Sequence, residues 1–348
     1  MSDDKHIIER YNGRRILVAP LNWGLGHATR SVAIIKRLSK HNHICIASDG
    51  LALTWLKREL GPRYCYYNLP SYNVKYDQAN PWVNLLKYGP AIRRAIGQEN
   101  KQTSWIVNQE DIDLIISDHR LGVRQDGIES IIVSHQLKIP HQNSFISMLT
   151  TRVQRSYVNQ FDRCWVPDYH EVEQRLSGIL SEPSLKIAKQ YIGPLSHLST
   201  FGSIDHSSGT SAFDVAIVLS GLEPARSVLE EKLTSVLSQM KDIQTVCVRG
   251  STPSSAMVRP SNIKYHDILV TKDVNKVINQ SKVVIARSGY STIMDLNLLK
   301  KKAILIPTPN QPEQEYLASI HGGNLRYTSI LEEDITVEKL KSSLHSLL

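Results

Sequence analysis

No cysteine in the 348-residue chain has a second one close by: Cys45, Cys65, Cys164 and Cys247 are scattered, with no C-x-x-C pair and no metal-type clustering along the sequence. A disulfide framework is thereby excluded, and a reducing, cytoplasmic setting is expected. No apolar run approaches the roughly 20 residues that cross a bilayer. The opening MSDDKHIIERYNGRR carries charges where a secretory leader needs an apolar stretch, so no leader is expected. Zinc-ligand spacing, an aromatic RNP-type strand and a long basic run are all missing, which argues against nucleic acid as partner. Short-period repeats and low-complexity tracts are absent too.

What is present is an ordinary globular composition, 41% hydrophobic and 21% charged, with a formal net charge of +8. That balance suits an anionic partner such as a phosphorylated substrate or an anionic membrane face. The length suits two domains. β-Branched runs alternate with helical patterns: RILVAPL precedes ATRSVAIIKRLSK, and FDVAIVLSG precedes EPARSVLEEKLTSVLSQM. Such alternation implies βαβ units and buried parallel sheets, an α/β chain. The Ser- and Gly-rich stretch 196–212 reads as a hinge between residues 1–195 and 213–348. Two open α/β domains are expected to face each other across a cleft, with ligands at the carboxyl ends of the strands.

In RILVAPLNWGLGHATR a strand turns into a helix through Gly24 and Gly26, which let backbone approach a ligand closely. A dinucleotide fingerprint wants a third small residue where Thr29 stands, although Asp49 ends the next strand where a ribose-binding acid belongs. His27 fits that reading poorly. At a helix N-terminus its imidazolium is disfavoured, leaving a neutral ring able to accept a proton. Asp118, just past the strand in DLIISDHR, lies at the same sheet edge and is placed to orient it. Asp111 and Asp113 precede that strand, at the opposite edge, and read as a solvated loop. Trp23 beside the turn and His135 ending IIVSH are candidates to line an acceptor site.

Two further turns suit a diphosphate. Ser220 and Gly221 precede a helix with Arg226 in its first turn, and Arg287, Ser288 and Gly289 precede another that opens with Ser291 and Thr292. Asp295, one helical turn after Ser291, suits a pair of ribose hydroxyls. After the next strand, PTPNQPEQEYLA brings Gln311, Gln314 and Glu315, side chains suited to sugar hydroxyls, to the same edge.

G-x-G-H-x-x-R after the first strand, ARSGYSTIMDL, IPTPNQPEQEYLA and YIGPLS before the hinge together resemble the MurG-like branch of GT-B glycosyltransferases, over residues 14–330. The resemblance implies two Rossmann-like domains, acceptor and base on the first and nucleotide-sugar donor on the second, with a final helix (TVEKLKSSLHSLL) crossing back onto the first. It implies an inverting transfer without a metal or other cofactor, UDP being the family's usual nucleotide. His27 falls near the acceptor, Arg287, Ser288, Gly289, Thr292 and Asp295 at the nucleotide, and Gln314 at the donor sugar. Asp295 stands where the family usually has Glu. Leu222-Glu223-Pro224 replaces a glycine pair, setting an acid beside the expected diphosphate. The first turn is poorer in glycine than the MurG signature, so an acceptor other than that of MurG is expected.

The segment YDQANPWVNLLKYGPAIRRAIG mixes Trp82, Leu85, Leu86 and Tyr88 with Lys87, Arg93 and Arg94. It suits either a peripheral contact with the inner membrane face, and hence a lipid-linked acceptor, or a helix packed on the sheet. Rival activities on the same fold are a nucleotide-sugar hydrolase, an epimerase and a non-catalytic nucleotide-sugar binder.

Overall fold

The computed structural model describes residues 6–72, 81–141, 143–198, 211–221, 223–250 and 260–348, and in 81–88 only the backbone. The chain divides into two compact units, Met1–Leu195 and Ser196–Leu348. Of the expected hinge, residues 199–210 lie outside the described residues, and Ser196, His197 and Leu198 belong to the second unit.

The first unit runs α1 (His6–Glu9), β1 (Arg15–Pro20), α2 (Gly26–Leu38), β2 (His43–Ser48), α3 (Gly50–Leu60), β3 (Cys65–Asn68), α4 (Pro81–Glu110), β4 (Leu114–Asp118), β5 (Glu129–Val133), α5 (Ser144–Val158), β6 (Arg163–Val166) and β7 (Ala188–Tyr191). The strands form one parallel sheet in the order β3-β2-β1-β4-β5-β6-β7. Continuous apolar strands such as Ile16–Ala19 are buried because helices cover both faces. α4 is 30 residues long and continues through Pro90. Its C-terminal half packs Ile106 and Val107 against Leu17, Ala19 and Cys45.

The second unit runs β8 (Phe213–Val218), α6 (Ala225–Ser238), β9 (Thr245–Val248), β10 (Ile263–His266), α7 (Thr271–Asn279), β11 (Ser281–Ala286), α8 (Tyr290–Leu298), β12 (Lys302–Leu305), α9 (Pro312–His321), β13 (Tyr327–Ser329) and α10 (Val337–Leu347). Its parallel sheet has the order β10-β9-β8-β11-β12-β13. In each unit the strand order reverses direction beside the first strand, between β1 and β4 and between β8 and β11. In open α/β sheets ligands bind at such switch points, outside the carboxyl ends of the strands.

The expectation that the last helix crosses onto the first unit is corrected. Leu340, Leu344 and Leu347 of α10, spaced along one helix face, are buried against Val215, Ile217 and Leu233 of the second unit's own core. That apolar stripe fixes α10 to the sheet it follows. Among the described residues, no helix is long and apolar enough to cross a membrane.

Candidate functional site

The ends of β1, β4 and β5 are in register, Pro20 opposite Asp118 and Asp118 opposite Val133. Their loops therefore leave the sheet side by side. Gly24 has φ 72°, a left-handed backbone that a side chain would strain, and this turn lets α2 start at Gly26. His27 thus stands in the first turn of α2, its Nδ1 3.0 Å from Oδ1 of the fully buried Asp118. Arg30, one helical turn later, donates from Nε to Asp118 Oδ2 at 2.7 Å and from a terminal nitrogen to Oδ1. Ser31 Oγ adds a bond to Oδ2 at 3.2 Å. The other end of the guanidinium lies 3.1 Å from Nδ1 of His135, which accepts because arginine can only donate.

Arg30 also stands 2.9 Å from His27 Nδ1, so two tautomers compete. With the proton on Nδ1, that nitrogen donates to Asp118, Arg30 serves the carboxylate, and Nε2 is left able to accept a proton. Burial, then the Arg30 charge, lower the pKa of His27 against the opposing pull of Asp118, so the ring is neutral at pH 7. For Asp118, burial pulls upward, but Arg30 and His27 prevail and hold it below the ordinary carboxylate range. His119, with φ 67°, brings its ring to 5.6 Å from that of His27, and burial followed by the same neighbours lowers its pKa to about 3.

Trp23, 45% exposed, packs edge-on to Tyr72 at the rim. Phe145 and Met148, in the first turns of α5, are also exposed apolar groups. Asp49 is not available to a ribose. It is buried, accepts from Arg120 at 2.6 Å and from Asn22 at 3.1 Å, and Arg120 also bonds Glu99 at 2.6 Å.

In the second unit Val218, Ala286 and Leu305 align across β8, β11 and β12, bringing three loops to one edge. Ser220 and Gly221 are exposed there, Gly221 with φ 104°, and Leu222 lies outside the described residues. Gly289 is the N-cap of α8, no side chain caps that helix, and an added Cβ would meet nothing within 4 Å. Its first-turn backbone and the half-buried Thr292 therefore front an uncrowded helix start. Ser288 is buried and donates to the Gln314 carbonyl at 2.8 Å, tying this turn to α9.

Similarity to known proteins bears on the fold. Residues 223–348 match the Glycosyltransferase family 28 C-terminal domain. A 221-residue stretch is 22% identical to an uncharacterized glycosyltransferase of Methanopyrus kandleri, and the match spans 60% of this chain and 60% of the relative's length. The calicheamicin glycosyltransferase CalG4 superposes with a TM-score of 0.66 at 11% identity, covering 97% of this chain and 90% of that one. MurG of Acinetobacter baumannii superposes with a TM-score of 0.55 at 15% identity, covering 96% and 90%. The chain has the GT-B glycosyltransferase fold.

Within this GT-B fold, several expected donor contacts face inward. Arg287 is buried, ion-paired to Glu332 at 2.6 Å and donating to the carbonyls of Pro307 and Ala225. Its donors brace the turn from behind. Arg226 is also buried, held by Glu223 and by Glu230, which in turn binds Arg249. Glu223 Oε2 accepts from Ser227 N at 3.2 Å, so a carboxylate occupies the start of α6. Asp295 accepts from Ser196 Oγ and lies 3.9 Å from His197 Nδ1. Burial pushes its pKa up to about 7 against that bond, and its side chain is 16% exposed.

Gln314 Oε1 accepts from the Thr308 amide at 3.0 Å, its amide nitrogen donates to Gln311, and Glu315 caps Asn310 N at 2.9 Å. These three residues brace the loop before α9 as well as standing at the edge. Arg93 and Arg94 of α4 are exposed, while the side chains of Trp82, Leu85, Leu86, Lys87 and Tyr88 lie outside the described residues. The G-x-G-H-x-x-R motif contains Arg30 without giving it a role, and sequence reasoning missed His119. Arg30 sits three residues after His27 on a helix start, a spacing that places both on one face.

Proposed function

We propose that the protein transfers a sugar from a nucleoside diphosphate sugar, with UDP or dTDP as nucleotide, to a hydroxyl acceptor with inversion and without a bound metal ion. The observation that carries this reading is the His27–Asp118 contact at the switch point of the first sheet. His27 Nε2 removes the acceptor proton as the oxygen attacks the anomeric carbon, and the bond to the diphosphate breaks in the same displacement. Asp118 and Arg30 position the ring, and Asp118 stabilises the imidazolium that forms. The start of α8 at Gly289 stabilises the negative charge of the departing diphosphate. Asp295 reaches ribose hydroxyls once Ser196 yields. Exposed Trp23, Phe145 and Met148 favour an acceptor with an apolar body, a lipid-linked alcohol or an aromatic small molecule.

The test is a thermal-shift panel of UDP, dTDP, GDP, ADP and NAD on the wild type and on Gly289→Asp, which puts a carboxylate in the proposed diphosphate turn. A specific ligand at about 100 times its Kd stabilises by about 2.7 kcal/mol. UDP or dTDP should shift the wild type, with the effect lost in the variant. A shift by NAD alone would contradict the reading. Product masses then separate the rivals: a hydrolase releases free sugar without an acceptor, and an epimerase leaves the donor mass unchanged.

A further inference from the structure

We propose a zinc site at the N-terminal edge of the first sheet, formed by His43, Cys45, Cys65 and Glu110. One ligand atom from each of these residues lies within 4.8 Å of every other, and His43 Nε2 is 3.9 Å from Glu110 Oε2. The placement follows from the backbone. His43 and Cys45 are two apart on β2 and share a face, and Cys65 of β3 is the register partner of Cys45. Glu110 is the last residue of α4, whose Ile106 and Val107 pack over the same face. No spacing along the chain announces this group, because the parallel register creates it.

The donor set suits zinc. Two thiolates, an imidazole and a carboxylate form a tetrahedral set in which bonds of about 2.0–2.3 Å separate ligand atoms by about 3.3–3.8 Å, so the cluster closes by at most roughly 1.5 Å. Soft sulfur ligands disfavour magnesium and calcium. The charges balance as well: Zn2+ with two thiolates and one carboxylate leaves a single negative charge, and Arg15 stands 3.4 Å from Glu110 Oε2. Tyr67 donates to Glu110 Oε1, the outer hydrogen bond that orients a metal carboxylate. Both cysteines are free thiols, Cys45 is buried, and His43 is 45% exposed, which opens a path from solvent. The site lies at the sheet end remote from Asp118. Its role is to pin the C-terminal end of α4 to β2 and the edge strand β3.

The test is metal analysis of the full chain after loading with one equivalent of Zn2+ and dialysis, with Co2+ as a spectroscopic substitute. About one zinc per chain should be retained, the cobalt form should show a thiolate charge-transfer band, and Cys45 and Cys65 should be protected from a thiol reagent. His43→Ala, a change at an exposed position, should weaken zinc binding at least about tenfold while the thermal transition of the metal-free chain stays put. Cys65→Ser should abolish the charge-transfer band. Zinc lost on dialysis, thiols equally reactive with and without zinc, or a His43→Ala variant that binds as tightly as wild type would each overturn the site.

Discussion

Arg30 clamps Asp118, donating from Nε to Oδ2 at 2.7 Å and from a terminal nitrogen to Oδ1, and the same guanidinium stands 2.9 Å from His27 Nδ1. The positive charge beside the histidine favours its neutral form, while the carboxylate fixes which nitrogen carries the proton. In the proposed reaction Arg30 is therefore a positioning residue that also sets the pH range over which His27 can accept a proton.

Arg30→Met should raise the pKa of His27 and move the acid limb of the pH–rate profile upward by roughly one unit or more. In the wild type that limb should lie below the ordinary histidine value, because burial and then Arg30 lower the pKa. A histidine kept neutral in the fold contributes stability above its unfolded pKa of about 6.5, lost as pH falls through it toward the folded value. Leaving Asp118 buried without Arg30 should cost about 3–5 kcal/mol by denaturant titration. An unmoved acid limb in a folded variant would count against the assignment.

Glu223 lies where a phosphate would meet α6, accepting from Ser227 N at 3.2 Å and pairing with Arg226. Glu223→Gln should lower the Kd for UDP or dTDP roughly three- to tenfold in calorimetry, since a like charge leaves the helix start. The gain should shrink at high salt because Glu223 is exposed. Weaker binding in the variant would mean that the carboxylate supports the turn.

Asp295 has its pKa pushed up to about 7 by burial, opposed by the Ser196 bond. Its folded pKa exceeds the unfolded value of about 3.9, so the unfolded chain loses the proton first as pH rises. Stability should then fall between about pH 4 and pH 7 and level off above, by up to about 4 kcal/mol. Asp295→Asn should remove that decline in thermal melts, matching wild type near pH 4 and exceeding it at pH 8. A variant no more stable at pH 8 would show that Asp295 is ionised without strain.

Much of the fold is legible in the sequence because apolar β-branched runs alternate with helices, and Gly24, Gly221 and Gly289 mark the turns at the strand ends. The meeting of His27 and Asp118 is legible because His27 opens the helix that follows β1 and Asp118 ends the adjacent strand β4. What sequence does not show is which way a long cation points. Arg226 and Arg287 occupy phosphate-turn positions, yet acids elsewhere in the unit, Glu230 and Glu332, draw them inward. Nor does spacing show that Leu340, Leu344 and Leu347 bury on the second sheet, since an apolar stripe does not name its partner. The cover that Ser196 forms over Asp295 joins residues far apart in the chain, and only the folded second unit brings them together.

The most direct measurement compares wild type, His27→Ala and Asp118→Asn, each supplied with UDP- or dTDP-linked sugars and a set of lipid-linked and aromatic alcohols, reading glycoside by mass and nucleotide affinity by calorimetry. Glycoside is expected from the wild type, with a fall of about 10²–10⁴-fold in turnover for both variants and nucleotide affinity within about twofold of wild type. Transfer that persists in His27→Ala, or nucleotide binding lost along with transfer, would contradict a base on the first unit acting on a donor held by the second.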